Sequence, residues 1–178
     1  MMKKVTVLIF LLAAAIFIFK NFSFFEEKPK ILIVNESSEF PEVKIPLQGF
    51  IPANISVDLI LVDRAQVSLK AGCYLIEATT DACVAQAIQK GIEKKVDFRP
   101  TVYDVIFDIF KNLGIKVLAV KIVDMRENTF IGQLIIQQKD KVLALDIRPS
   151  DATAIALRAN APIYINETLA KNVGKYIC

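Results

Sequence analysis

The segment from Ala144 to Ile165, ALDIRPSDATAIALRANAPIYI, limits the folds open to this chain more than any other, because it sets several polar side chains between two stretches that have to be buried. Leu143, Leu145 and Ile147 alternate with Ala144, Asp146 and Arg148, the period of two that marks a strand with one face in a core. Pro149 has no N–H to give to a ladder and ends that strand. Ser150 is then placed to cap a helix with its hydroxyl, and Asp151 in the first turn suits the positive end of the helix dipole. Ala152, Ile155, Ala156 and Ala159 supply the apolar stripe of this helix. Asn160 tolerates the left-handed conformation that closes a helix, Pro162 forbids its continuation, and Ile163 to Ile165 return as a strand. Asp146, Arg148, Ser150 and Asp151 are thereby gathered at one strand-to-helix corner, which we expect to be hydrogen-bonded as a unit.

Upstream, Ile55 to Leu61, Val67 to Lys70 and Cys73 to Ile76 alternate as strands of a meander, the last closing at Glu77. Thr79 or Thr80 is placed to cap the following helix, whose Val84, Ala87, Ile88 and Ile92 recur at helical spacing. A second helix runs from Thr101 to Leu113, with Thr101 and Asp104 spaced as an aspartate version of a capping box. Val102, Val105, Ile106, Phe107, Ile109, Phe110 and Leu113 leave it a single narrow polar stripe, so it is expected at the centre of a curved sheet, covered on nearly every side. Lys116 to Val123 and Phe130 to Gln137 form the arms of a hairpin, and Glu167 to Val173 a short last helix. The fold class expected is α+β: one domain, a mixed curved sheet wrapped around a central helix, preceded by an amino-terminal transmembrane helix.

That helix is read from Val5 to Phe25, 21 residues opening with VTVLIFLLAAAIFIF behind Lys3 and Lys4. At about 1.5 Å per residue it spans roughly 31 Å, close to a bilayer core. Small residues of the kind a signal peptidase needs are missing at its far end, which favours an uncleaved anchor. The expected organisation is an anchor at 1–25, a stalk at 26–52 and a soluble domain at 53–178, placed outside a single-pass membrane by the lysines and free amine at the start. The hydrophobic share of 54% owes part of its size to this segment.

The net charge of +3 also resides there: residues 1–30 hold five lysines and two glutamates, leaving 17 basic and 17 acidic residues beyond. A neutral domain announces no broad basic face for nucleic acid. The nearest approach, Lys90, Glu93, Lys94 and Lys95, has the form of a solvated helix end. Three cysteines cannot all pair within one chain. Cys73 and Cys83 are either partners, if the domain is external, or small buried apolar residues.

The string LDIRPSDATAIALRANAPIYI resembles the signature of the bifunctional nuclease family, with its Asp-x-Arg-Pro-Ser-Asp-Ala run followed by Ala-Leu-Arg and Pro-Ile-Tyr. CYLIEATTDACVAQAI, around Glu77 and Ala78, and RPTVYDVIFDIFKNLGIKV resemble two further family segments, so that the similarity covers Val57 to Val173. The family pattern Pro-Leu-Thr-His-Asp stands here as Pro100, Thr101, Val102, Tyr103 and Asp104, with Tyr103 at the histidine position. The whole chain contains no histidine. The resemblance implies a nuclease acting on DNA or RNA, and self-association into a homo-oligomer.

Phosphodiester hydrolysis needs an activated water and a group to neutralise charge gathering on the phosphate. Without histidine, the remaining means are carboxylates holding a divalent ion, Mg or Mn, with arginine as electrostatic partner. The candidate catalytic residues are Glu77, Asp104, Asp146 and Asp151, with Glu77, Asp104 and Asp146 as metal ligands. Arg99, Arg148, Ser150 and Arg158 are candidates for binding substrate. Each also has a structural use: Asp104 and Asp151 as acids at helix starts, Arg148 as a brace for the corner, Arg99 as a partner for Glu77. A catalytically silent binding or assembly domain at a membrane is therefore the alternative function.

Overall fold

The computed structural model describes residues 43–178, so the expected anchor at 1–25 and most of the expected stalk lie outside the described residues. Among the described residues no helix is long and apolar enough to cross a membrane. They form a single α+β domain with one open mixed sheet and four helices.

Eight strands occur in chain order as β1 (Phe50–Ile60), β2 (Arg64–Ala71), β3 (Tyr74–Asp81), β4 (Ile115–Arg126), β5 (Thr129–Gln138), β6 (Lys141–Ile147), β7 (Ile163–Asn166) and β8 (Lys175–Tyr176). The helices are α1 (Ala82–Glu93), α2 (Val102–Asn112), α3 (Pro149–Ala159) and α4 (Glu167–Val173). Across the sheet the order is β6-β5-β4-β7-β1-β2-β3-β8. Every neighbouring pair is antiparallel except β4 and β7, which run parallel with Val120 beside Ile163. The short β7 thus joins the β1–β2–β3 meander to the β4–β5–β6 meander. Phe50 to Ala53 pair with it, so the sheet begins three residues before the expected domain start at 53.

One face of the sheet carries the core. Leu69, Ile76, Val120, Ile122, Leu134, Ile136, Ile163 and Ile165 meet Ala152, Ile155 and Ala156 of α3, all buried. A fully buried Ile or Leu side chain contributes about 1.5–3 kcal/mol. Beside this cluster, Val84, Ala87 and Ile88 of α1 pack on Ala154, and Ala85 packs on Ala65 and Val67.

The helix at the centre is therefore α3, and not the Thr101–Leu113 helix expected there. In α2 only Asp104 is buried. Tyr103, Ile106 and Phe110 turn to the core, while Val102, Val105 and Ile109 are 61, 46 and 48% exposed. The physical reason is size. Ala152, Ala154 and Ala156 have no exposed surface, and such small side chains let α3 lie against both the sheet and α1. At the α1 contact, a Cβ added to Gly91 would come within 2.8 Å of Leu157 Cβ. The bulkier α2 covers the flank.

The helix starts also differ in detail from expectation. α1 begins after Asp81, because Thr79 and Thr80 continue the β2–β3 ladder opposite Gln66 and Ala65. α3 begins at Pro149 with Arg148 at the capping position, so Ser150 lies inside the first turn. Proline suits that first position, where its missing N–H is no loss. The left-handed Asn160 closes α3 as expected, with φ 55°. Neither alternative for Cys73 and Cys83 is found: Cys73 is bonded to Cys178, their Cα atoms 5.2 Å apart, and Cys83 is free and exposed.

Candidate active site

A cleft of about 500 Å³ opens where α1 and α3 both begin. Ile55, Leu69, Ile76, Ile122 and Ile165 give it an apolar floor, and Asp81, Asn128, Arg148, Ser150 and Thr153 a polar border, with Phe130 alongside. The first turn of a helix has N–H groups without intrahelical acceptors, and the dipole makes that end positive. On this border the cation of Arg148 and the start of α3 stand beside the carboxylates of Glu77 and Asp81.

Arg148 organises this mouth. Its Nε donates to Asp151 Oδ2 at 2.6 Å, and its Nη1 to Asp81 Oδ2 at 3.0 Å. Those hydrogen bonds, Asp151's first, raise its pKa above an already high ordinary value, so it remains cationic. The side chain is 61% exposed, against 18% for that of Asp151. Asp151 is held from behind by Tyr103, whose hydroxyl donates to Oδ1 at 2.6 Å. Burial, and then this bond to an anion, push the Tyr103 hydroxyl well above the ordinary phenol range, which makes it a fixed donor and not a base.

Asp104 has a different environment. Its Oδ2 accepts the N–H of Thr101 at 2.7 Å and the Thr101 hydroxyl at 2.6 Å, the expected link across the first turn. Its Oδ1 accepts Arg158 Nε at 2.5 Å, both side chains being 7% exposed. Burial acts to raise the Asp104 carboxyl, but the bonds from Arg158 and Thr101 outweigh it and hold the pKa below the usual carboxylate value. Arg158 also donates Nη1 to the carbonyls of Ala87 and Ala154, tying α1 and α3 to α2, and its buried Nη2 has no partner.

The structure thus divides the candidate residues. Glu77, Arg148 and Ser150 line the cleft, and Asp151 is joined to it through Arg148. Asp104 and Arg158 form an interior ion pair, and neither lines the cleft. Asp146 is exposed on β6 opposite Gln133, outside the corner it was expected to share, since β6 turns its carboxylate to the side away from Leu145 and Ile147. Arg99 is exposed between α1 and α2, and Glu77 is itself exposed in mid-strand, so burial does not oblige it to find a partner. Among the described residues no three His, Cys, Asp or Glu side chains are grouped to hold a metal ion. Glu77 and Asp81, four residues apart on an extended strand, lie roughly 13 Å from each other along it. Neither set fits a caged ion.

The sequence reading missed Asp81, Thr153, Asn128 and Phe130. Asp81 had a readable signal, standing between a strand and a helix in the segment that holds Glu77. Thr153 is 1% exposed on the cleft side of α3, at a position that periodicity assigns to the core. Asn128 of the β4–β5 turn and Phe130 at the start of β5 are brought to the cleft by sheet order alone.

The sequence profile of the bifunctional nuclease domain matches residues 74–177, more than half of the chain. An uncharacterized protein of Mycobacterium tuberculosis is 39% identical over 98 residues, 55% of this chain and 56% of the relative. Bifunctional nuclease 1 of Oryza sativa subsp. indica and Bifunctional nuclease 2 of Arabidopsis thaliana are each 33% identical over 79 residues, 43% of this chain and 24% of theirs. The chain therefore spans about half the length of the mycobacterial relative and a quarter of the plant ones. Residues 74–177 include β3, the α1 and α3 starts and the Arg148 mouth between them, and by that match the chain belongs to the bifunctional nuclease domain family.

Proposed function

We propose that this domain hydrolyses phosphodiester bonds of DNA or RNA, with the substrate phosphate taken at the start of α3. The observation that carries this is Arg148: a solvent-reachable cation, held by Asp151 and Asp81, at the mouth of a cleft where two helices begin. Arg148 neutralises charge on the phosphate, Ser150 and Thr153 offer hydroxyl donors beside it, and the apolar floor receives a base. The chain has no histidine to accept the proton of an attacking water. Asp81, which lines the cleft and is released when Arg148 turns to the phosphate, is the carboxylate to which we assign this role.

A Mg or Mn ion would supply a more acidic water. Such ions take one or two carboxylates and fill their remaining positions with water and phosphate oxygens. Asp81 would then hold the ion instead of accepting the proton directly. We further propose that the domain is held to a membrane by its amino-terminal segment and faces outwards. The Cys73–Cys178 disulfide supports that placement, since such bonds persist in oxidising compartments.

The test is cleavage of single- and double-stranded DNA and RNA with Mg, with Mn and with a chelator. Wild type should cleave, the chelator should stop it, and Arg148→Ala should lower the rate by about 10²-fold, as losing one transition-state donor does. Its exposed ion pairs contribute about 0–1 kcal/mol, so the variant should unfold close to the wild-type temperature. Full activity in Arg148→Ala would remove the cleft from consideration. Binding of nucleic acid without cleavage by wild type would favour the silent binding domain.

A further inference from the structure

The link between α1 and α2, residues 94–101, carries apolar side chains where a solvated link would carry polar ones. Phe98 is 100% exposed and Val96 65%, and they adjoin the exposed Val102 at the start of α2. Around them stand Lys94, Lys95 and Arg99, all exposed. Lys94 closes α1 in the left-handed conformation and donates its ammonium to the Leu157 carbonyl at 2.5 Å, and Asp97 is paired with Lys90 of α1, so the link is held at two points. Positive charge is concentrated here. Residues 90–101 hold four basic and two acidic residues, which leaves 13 basic and 15 acidic over the rest of 31–178.

We propose that this link is a second membrane contact, its apolar tip entering the interface of an anionic bilayer while Lys94, Lys95 and Arg99 meet the headgroups. Resting on the membrane placement proposed above, this contact adds an orientation to it. An apolar tip among cations gains twice at such a surface, from burial of hydrocarbon and from the negative surface potential. With an anchor that ends at residue 25, residues 26–42 reach over at most roughly 60 Å. The domain therefore stays near the bilayer, and a weak second contact suffices.

Charge also selects this tip over the other surfaces. On α2, Asp108 stands with Asn112 beside the outward-facing Val105, Ile109 and Leu113, and a carboxylate is costly to bring into hydrocarbon, so the helix does not lie flat on the membrane. The β1–β2 turn is a second apolar tip, with Leu61 59% and Val62 101% exposed, but Asp58 and Asp63 flank it. The N–H of Ala82 donates to the Asp63 carbonyl at 3.2 Å, which sets that turn at the start of α1 and the basic link at its end, roughly 18 Å away along a 12-residue helix. The cleft, which also opens at the start of α1, then faces away from the bilayer.

The experiment is tryptophan fluorescence of the full chain in vesicles, the sequence having no tryptophan of its own. Phe98→Trp and Val62→Trp, both at fully exposed positions, are each reconstituted in phosphatidylcholine with phosphatidylglycerol and in phosphatidylcholine alone, with brominated chains as quencher. In the anionic vesicles the emission of Phe98→Trp should shift to the blue and be quenched, and that of Val62→Trp should stay as in buffer. Adding Arg99→Gln to Phe98→Trp should lower the ratio of docked to undocked link about five-fold, the gain of one basic residue at an anionic surface. Equal quenching of Val62→Trp, or quenching of Phe98→Trp that is as strong in phosphatidylcholine alone, would overturn the proposal. A chain that sediments with the vesicles while Phe98→Trp stays unquenched would remove the tip contact alone, and one that sediments with neither kind would remove the amino-terminal anchor with it.

Discussion

Asp104 shows how one carboxylate can have the sequence setting of a catalytic residue and the environment of a structural one. Its place after Thr101 was readable as a first-turn acid, but Arg158, 54 residues later, was not readable as its partner, because that contact exists only once α2 has docked on α3. Removing one member of a buried ion pair strands the other charge, so Asp104→Ala should cost about 3–5 kcal/mol of stability, measured by denaturant unfolding. The pH dependence has a definite sign. A carboxylate whose folded pKa is depressed adds stability above its unfolded value, near 3.9, and loses it as pH falls through the folded value. The melting temperature of wild type should therefore drop below about pH 4 by more than that of an Asp104→Asn variant. Asp151 differs again, being tied to the cleft through Arg148 and anchored by Tyr103. Replacing it by Ala should lower stability by about 1.5–3 kcal/mol, as for a lost charge-assisted bond, and also weaken cleavage by freeing Arg148.

At the scale of elements, most of the chain was legible. The hairpin arms at β4 and β5, the box opening α2, the Asn160 closure and the last helix all follow from periodicity and end signals that act within a few residues. What failed was rank. Counting apolar residues around α2 made it the core helix, whereas close approach rewards small side chains, and α3 has them. The α1–α3 contact gives this a test. Gly91→Ala improves helix propensity by about 0.8–1.0 kcal/mol, yet overpacking a tight contact costs about 1–3 kcal/mol. With Leu157 Cβ 2.8 Å from the added carbon, packing should win and thermal unfolding should show a less stable protein.

For the whole molecule, strand order was beyond the reach of the sequence, since the parallel join of β4 to β7 links residues 43 positions apart, Val120 with Ile163, by packing rather than by any local signal. The disulfide was missed for a similar reason. Cys73 and Cys83 are near in sequence, but β3 carries the chain away from the β2–β3 turn before α1 starts, while β8 returns Cys178 to that turn. It closes 105 residues, and Cys178→Ser should lower stability by about 2–5 kcal/mol under oxidising conditions, with little further loss on adding reductant. The same staple makes the two borders of the sheet unlike each other. On one side β8, two residues long and covalently fastened, covers the start of β3, and Glu77 and Asp81 put charge along the remainder. On the other, β6 is open. A sheet fastened in this way leaves a single border, that of β6, along which a further strand could be added.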